Sequence, residues 1–342
     1  MKKVLINISI IIISVFITAL ALELVLRVVY KFKFSPRGLA RIPIAKTYKL
    51  SENKNLLYEL LPDSKARNRG VEFVINSFGF RDKKYRKRKV SKIRLIFVGD
   101  SITYGWGIPL EDTYHKQLEK LFHAEGYDVD IMGMGVVGYN TIQEYHLIKE
   151  KALDFNTDMI ILQIAMNDFE RTVKIRTYQE GKKLGIVPYH DYSIPFIIKR
   201  TKLTYFFMKN SHFFKFINLK LYWFKNKNDP LYVPEDMYLL GEENALRHLR
   251  KIKSLLDSKK IPLAAVIFPF RKGKDVYPYA KLQKKIHQEL EKMEVPYLDL
   301  YDVINIDTEE YLWRDKIHPT VRGHEIVSHA LFKFLRPLLQ YN

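Results

Sequence analysis

The stretch that most constrains this chain is Arg94-Leu95-Ile96-Phe97-Val98-Gly99-Asp100-Ser101-Ile102-Thr103. Leu95 to Val98 is an unbroken run of β-forming apolar residues, the pattern of a strand covered on both faces. Such a strand belongs in a parallel sheet with helices above and below it. Gly99 lets the backbone turn tightly and pass close to a ligand. Ser101 then falls at the carboxyl end of the strand, where open α/β sheets hold their ligands. A lone serine after a strand is most often only a helix cap, so its meaning depends on what lies downstream.

Downstream, the same pattern recurs. Asp128 to Met132, Met159 to Ala165, Leu263 to Phe268 and Tyr297 to Val303 read as four more strands. Helical patterns separate or follow them, at about Thr113 to His123, after Thr141, at Glu242 to Ser258, at about Tyr279 to Met293 and at about Gly323 to Leu338. Asp112 is a candidate cap for the first helix, and Thr141 with Glu144 has capping-box spacing for the second. Strands alternating with helices predict a doubly wound α/β fold with a parallel sheet of about five strands.

Before the first core strand the chain changes character. Lys2 and Lys3 precede an apolar run from Val4 to Leu22, interrupted only by Asn7, Ser9, Ser14 and Thr18. That length spans a hydrocarbon core of ~30 Å. Ala19-Leu20-Ala21 resembles a signal-peptidase site. Apolar residues continue beyond it, however, so an uncleaved N-terminal transmembrane helix over residues 1–30 is the preferred reading. Glu23 and Arg27 can pair at i, i+4. Basic residues flank the span on both sides, and their count alone does not fix its orientation. Residues 31–93 read as a linker and lead-in. Residues 94–342 read as one domain carrying an insertion, 171–236, rich in aromatics and lysine. The insertion reads as helices packed over the sheet edge, a lid, or a membrane-surface element.

The formal net charge is +19. It favours anionic partners such as acidic lipid, glycan or nucleic acid, or else marks a lysine-rich solvated surface. Cysteine is absent, which excludes disulfides and thiol chemistry and leaves the redox compartment open.

Two motifs mimic other chemistries. Gly133, Gly135 and Gly138 spell the dinucleotide fingerprint, with Asp158 about twenty residues on. The ribose-binding acid belongs at the carboxyl end of the next strand, and Asp158 stands at its amino end, so the match is rejected. His324 and His329 nearly form a zinc motif, but at five residues apart they leave a common helix face at ~3.6 residues per turn.

A different constellation is consistent. Ser101, Gly138 and Asn167 all follow strands at one edge of the sheet. Asp315 and His318, three apart in the loop before the last helix, let a carboxylate reach an imidazole. Acyl transfer needs a nucleophile, a base, a group orienting the base, and donors for an oxyanion. Gly99-Asp100-Ser101-Ile102-Thr103, Gly138, Asn167-Asp168 and Asp315-x-x-His318 resemble, in order, blocks I, II, III and V of the SGNH/GDSL hydrolase family. Asn76-Ser77-Phe78-Gly79-Phe80-Arg81-Asp82 resembles the lead-in of membrane-anchored bacterial members. Ala165 stands where block III usually has glycine.

The resemblance implies a flavodoxin-like three-layer sandwich and a serine esterase or O-acyltransferase. It assigns Ser101, His318 and Asp315 as catalytic, and Ser101, Gly138 and Asn167 as the oxyanion hole. Asp100 and Asp168 are expected to support turns. Tyr139 and Asn140 are expected to lead into a helix. An acylated glycan, envelope polymer or lipid is the expected substrate, acted on at the extracytoplasmic membrane surface. No cofactor, metal or nucleic acid is expected. A binding module for anionic polymer, resting on the basic surface, is the alternative.

Overall fold

A computed structural model of the chain describes residues 2–34, 47–169 apart from 54, 57 and 69, 172–173, eight positions between 203 and 217, 237–238, 242–270, 277, 279–303 and 317–339. The chain divides into two compact units. One comprises Met1–Ala40 with Glu180–Pro234, the other Arg41–Gln179 with Glu235–Asn342.

The first unit is built on helix α1 (Lys2–Phe34). The expected Glu23–Arg27 pair forms at 2.7 Å. Glu23 also accepts from Ser211 Oγ at 2.9 Å and the Phe213 amide at 2.8 Å. Arg27 donates to the Asn210 carbonyl at 2.8 Å. These bonds join Asn210, Ser211 and Phe213 to α1. Among the described residues no helix is long and apolar enough to cross a membrane. The transmembrane helix expected over residues 1–30 is not found among them.

The second unit begins inside the segment read as linker and lead-in. Strands β1 (Tyr48–Leu50) and β2 (Tyr58–Leu60) form one antiparallel pair. Strands β3 (Lys65–Asn68) and β4 (Val71–Val74) form another. Tyr48, Tyr58, Leu60 and Phe73 are buried, so this segment is part of the packed unit.

The central sheet contains β5 (Ile93–Gly99), β6 (Val129–Gly135), β7 (Met159–Ala165), and, after a short pair β8 (Thr172–Val173) and β9 (Met237–Tyr238), β10 (Leu263–Phe268) and β11 (Tyr297–Asp299). Its order is β11-β10-β7-β5-β6, all parallel. Counting only these five strands, that is the 2-1-3-4-5 flavodoxin-like order, whose switch point lies between β5 and β7. The α/β fold with about five parallel strands is as expected.

Helices supply the two outer layers. They are α2 (Ser101–Tyr104), α3 (Tyr114–Ala124), α4 (Thr141–Glu150), α5 (Glu242–Ser258), α6 (Ala280–Lys292), α7 (Leu300–Val303) and α8 (Val321–Leu339). α3 packs on α8, and α4 and α6 pack on α5. The strand expected over Tyr297 to Val303 stops at Asp299, whose carboxylate accepts from the Tyr301 amide at 2.8 Å and starts α7.

Three local expectations are corrected. Asp112 ends a 3₁₀ turn, Leu110–Asp112, and Thr113 occupies the cap position of α3. The cap of α4 is Asn140, whose side chain accepts from the Ile142 and Gln143 amides. Glu144 is buried and takes no part in a capping box. Gly133 and Gly135 lie within β6 rather than in a loop. A Cβ on Gly135 would collide with the Tyr104 backbone, and one on Gly133 with the His115 ring. These glycines let α2 and α3 lie close against the sheet, which accounts for the false dinucleotide fingerprint.

Candidate active site

The sequence turns sharply after β5 because Asp100 caps α2. Its Oδ1 accepts from the Ile102 amide at 2.9 Å, leaving Ser101 as the first helical residue. Ser101 is nearly buried. His318, in the loop before α8, brings its Nε2 to 2.9 Å from Ser101 Oγ. The Trp106 ring lies 6.3 Å from the imidazole, centroid to centroid. Ser101 Oγ is 3.4 Å from Asp100 Oδ2, long for an O–H···O bond, so the imidazole is the nearer acceptor of the hydroxyl proton. Asp315 lies outside the described residues.

Asn167 sits in the 3₁₀ turn Met166–Phe169 that follows β7, across the switch point from Ser101. Its Nδ2 donates to Asp100 Oδ2 at 3.0 Å. An amide nitrogen carries two protons, so one remains for a second acceptor. Asp168 turns inward and accepts from the Ala165 amide at 2.6 Å, the turn-supporting part expected of it. Gly138 follows β6 with φ +78°, in the left-handed region. Tyr139 N donates to the Val136 carbonyl at 3.1 Å and closes the turn around it.

The sequence did not reveal what holds these turns. Gln163, in the middle of β7, is fully buried. Its Oε1 accepts from the Asp100 amide at 3.0 Å, the Thr103 amide at 3.3 Å and Thr103 Oγ1 at 3.0 Å. Its only sequence signal is one polar side chain in an otherwise apolar strand. Arg81, in the lead-in, is also buried. Its guanidinium donates to the carbonyls of Tyr104, Gly105 and Ile108, each at 2.7 Å, and lies over the Phe73 ring. Burial lowers it to about 10, and it remains charged at neutral pH. Asp82 accepts from the Gly133 amide at 2.7 Å and pairs with buried Lys116. The lead-in motif thus pins the nucleophile loop on one side and β6 on the other.

Other groups settle the charge of the site. Glu144 is pushed well above the usual carboxylate range, by burial first and by Asp100 second. His324 accepts from the Tyr114 amide through Nδ1 at 3.0 Å and stacks on that ring. Burial, then the neighbouring His318, lower His324 to about 3. Its would-be metal partner His329 is exposed while His324 is buried, so the two do not share a face. Among the described residues no group of three or more potential ligands could hold a metal ion.

A flavodoxin-like sheet with a serine–histidine pair at its switch point defines a class of serine hydrolase. The chain belongs to the GDSL-like lipase/acylhydrolase family, whose model matches residues 97–326. It is an ester-hydrolase enzyme of the GDSL/SGNH type. No curated protein matches the chain.

Solved structures align with it over most of their length. TesA is 12% identical, with 72% of this chain and 99% of that one covered and a TM-score of 0.46. The psychrotrophic esterase EstA from Pseudoalteromonas sp. is 11% identical, with 72% and 98% covered and a TM-score of 0.45. Axe2, an acetylxylan esterase from Geobacillus stearothermophilus, is 14% identical, with 72% and 94% covered and a TM-score of 0.46.

Proposed function

We propose that this chain is a membrane-anchored serine esterase or O-acyltransferase that acts on ester-linked acyl groups, acetyl foremost, of a glycan, envelope polymer or lipid outside the cytoplasm. The observation that carries the reading is the 2.9 Å contact of His318 Nε2 with Ser101 Oγ.

In this reading His318 takes the Ser101 proton as Oγ attacks the ester carbonyl. The Ser101 and Gly138 amides and the Asn167 side-chain amide receive the negative oxygen. The carbonyl–alkoxy bond then breaks, the leaving alcohol takes the proton from His318, and the acyl group stays on Ser101. Water, or a sugar hydroxyl, gives its proton to His318 and attacks the acyl-serine. Ser101 Oγ leaves with that proton. Asp315 orients the imidazole and stabilises its charged form.

The anchor rests on the sequence. Val4 to Leu22 is almost wholly apolar, α1 continues unbroken over 33 residues, and Val4, Ile10, Ile17 and Leu24 on it are exposed. At ~1.5 Å per residue that run reaches about 28 Å, the depth of a hydrocarbon core.

The test is p-nitrophenyl acetate turnover by the detergent-solubilised full chain. Ser101→Ala is expected to abolish it. Equal rates in variant and wild type would remove the nucleophile assignment. With an added glycan acceptor, acetylated glycan identifies transfer, and free acetate alone identifies hydrolysis.

A further inference from the structure

Val136, Val137, Gly138 and Tyr139 form a four-residue turn closed by the Tyr139 amide on the Val136 carbonyl at 3.1 Å. Gly138 occupies the third position with φ +78°, while Val137 keeps a negative φ, which is the signature of a type II turn. Types I and II differ by about a half-turn of the central peptide, here Val137–Gly138. In a trans peptide the C=O and N–H point in opposite directions. Rotating this one peptide therefore reverses the Gly138 N–H while leaving the turn closed. Glycine tolerates either state at that position, so the turn's own residues do not fix the direction of the donor.

Something outside the turn does. The Tyr58 hydroxyl donates to the Val137 carbonyl at 2.9 Å, in a buried bond. Tyr58 belongs to β2, in the lead-in, far from the turn in sequence and outside the stretch matched by the family model. The tie is reciprocal. Tyr139, just past the turn, donates its own hydroxyl to the Tyr58 carbonyl at 2.5 Å, and the two rings lie 5.4 Å apart. Gln143 of α4 donates to the Leu56 carbonyl at 2.8 Å, fastening the loop just before β2. On the other side the Val136 amide donates to the Gly99 carbonyl at 3.1 Å, joining the turn to the strand that leads into Ser101.

We infer that Tyr58 is a positioning residue for catalysis: its hydroxyl holds the Val137 carbonyl and so keeps the Gly138 N–H turned toward the oxyanion. This rests on the proposed oxyanion role of Gly138. Tyr58 touches no substrate and acts through the peptide it holds. Without its hydroxyl the type I state becomes accessible, and the fraction of molecules with an aligned donor falls. That loss strikes the transition state, where the oxygen carries charge, and spares substrate binding.

The experiment compares wild type, Tyr58→Phe and Tyr139→Phe in the full chain. It reads kcat and KM for p-nitrophenyl acetate, and inhibition by a trifluoromethyl ketone, which forms a tetrahedral adduct. Tyr58→Phe keeps the ring and its packing. Its kcat is expected to fall by about tenfold or more, toward the ~10²–10³ typical of losing one oxyanion donor. KM should change little, and the ketone should weaken in parallel with kcat. Tyr139→Phe, which removes the donor to the Tyr58 carbonyl, should shift both in the same direction and stands in if Tyr58→Phe does not fold. Wild-type kcat in the variants, or a rise in KM with kcat unchanged, overturns the inference and leaves the esterase reading intact. Absence of turnover in wild type itself overturns both.

Discussion

Gln163 Oε1 lies 3.0 Å from the amide nitrogen of Asp100 and accepts from both the amide and the hydroxyl of Thr103. One buried side-chain oxygen thus fixes the residues on either side of the Ser101–Ile102 step. A carbonyl oxygen offers two lone pairs, so the three donors share it in a fan that leaves the turn little freedom.

Replacing Gln163 by leucine would keep the apolar volume of β7 and strip the acceptor from the Asp100 and Thr103 amides. Each buried donor left unpaired costs about 1–3 kcal/mol. Gln163→Leu is expected to lower the urea midpoint and to reduce kcat for p-nitrophenyl acetate by about tenfold or more, because Ser101 shifts relative to His318. Unchanged kcat beside a lowered midpoint would show that Gln163 supports the fold alone.

His324 gives the enzyme an acid-sensitive side. Its folded value of about 3 lies well below the ordinary 6.5. Between those values the unfolded chain binds a proton that the folded chain excludes. Stability is therefore lost as pH falls through that window, by up to ~1.4 kcal/mol per pH unit from this group. His115, buried and lowered for the same reason, acts in the same direction. Glu144, whose carboxyl burial raises well above its ordinary range, acts in the opposite direction. Comparison with a single variant cancels Glu144, and the part of the His115 shift owed to His324 reinforces the same trend. His324→Asn preserves an acceptor for the Tyr114 amide. The stability difference between wild type and His324→Asn, from urea unfolding at pH 7 to 4, should shift against wild type as pH falls. Parallel curves would contradict a neutral buried His324.

The strands and the order of the site residues were legible because their signals are local. Leu95 to Val98 announces a buried strand by itself, and the turn after it needs only Gly99 and Asp100. The residues that hold the site in place make contacts across long stretches of sequence. Tyr58 reaches Val137, Arg81 reaches the carbonyls after α2, and Gln163 reaches Asp100 from another strand. Nothing in the sequence around Tyr58 marks its contact, and the motif that contains Arg81 does not say which carbonyls it reaches. Gly133 and Gly135 mimic a dinucleotide fingerprint because glycine serves equally for a phosphate loop and for close helix packing. Glu144 had capping-box spacing, and lost that part because Asn140 already satisfied the amides at the start of α4.

In the proposed function Ser101, paired with His318, carries the acyl group between donor and acceptor. That acyl-enzyme is detected in the mass of the enzyme quenched during turnover of p-nitrophenyl acetate, followed by peptide mapping. An acetyl adduct on the peptide containing Ser101, gone in Ser101→Ala and depleted in His318→Ala, is the predicted result. An adduct on a different side chain, with Ser101 unmodified while turnover proceeds, would contradict it.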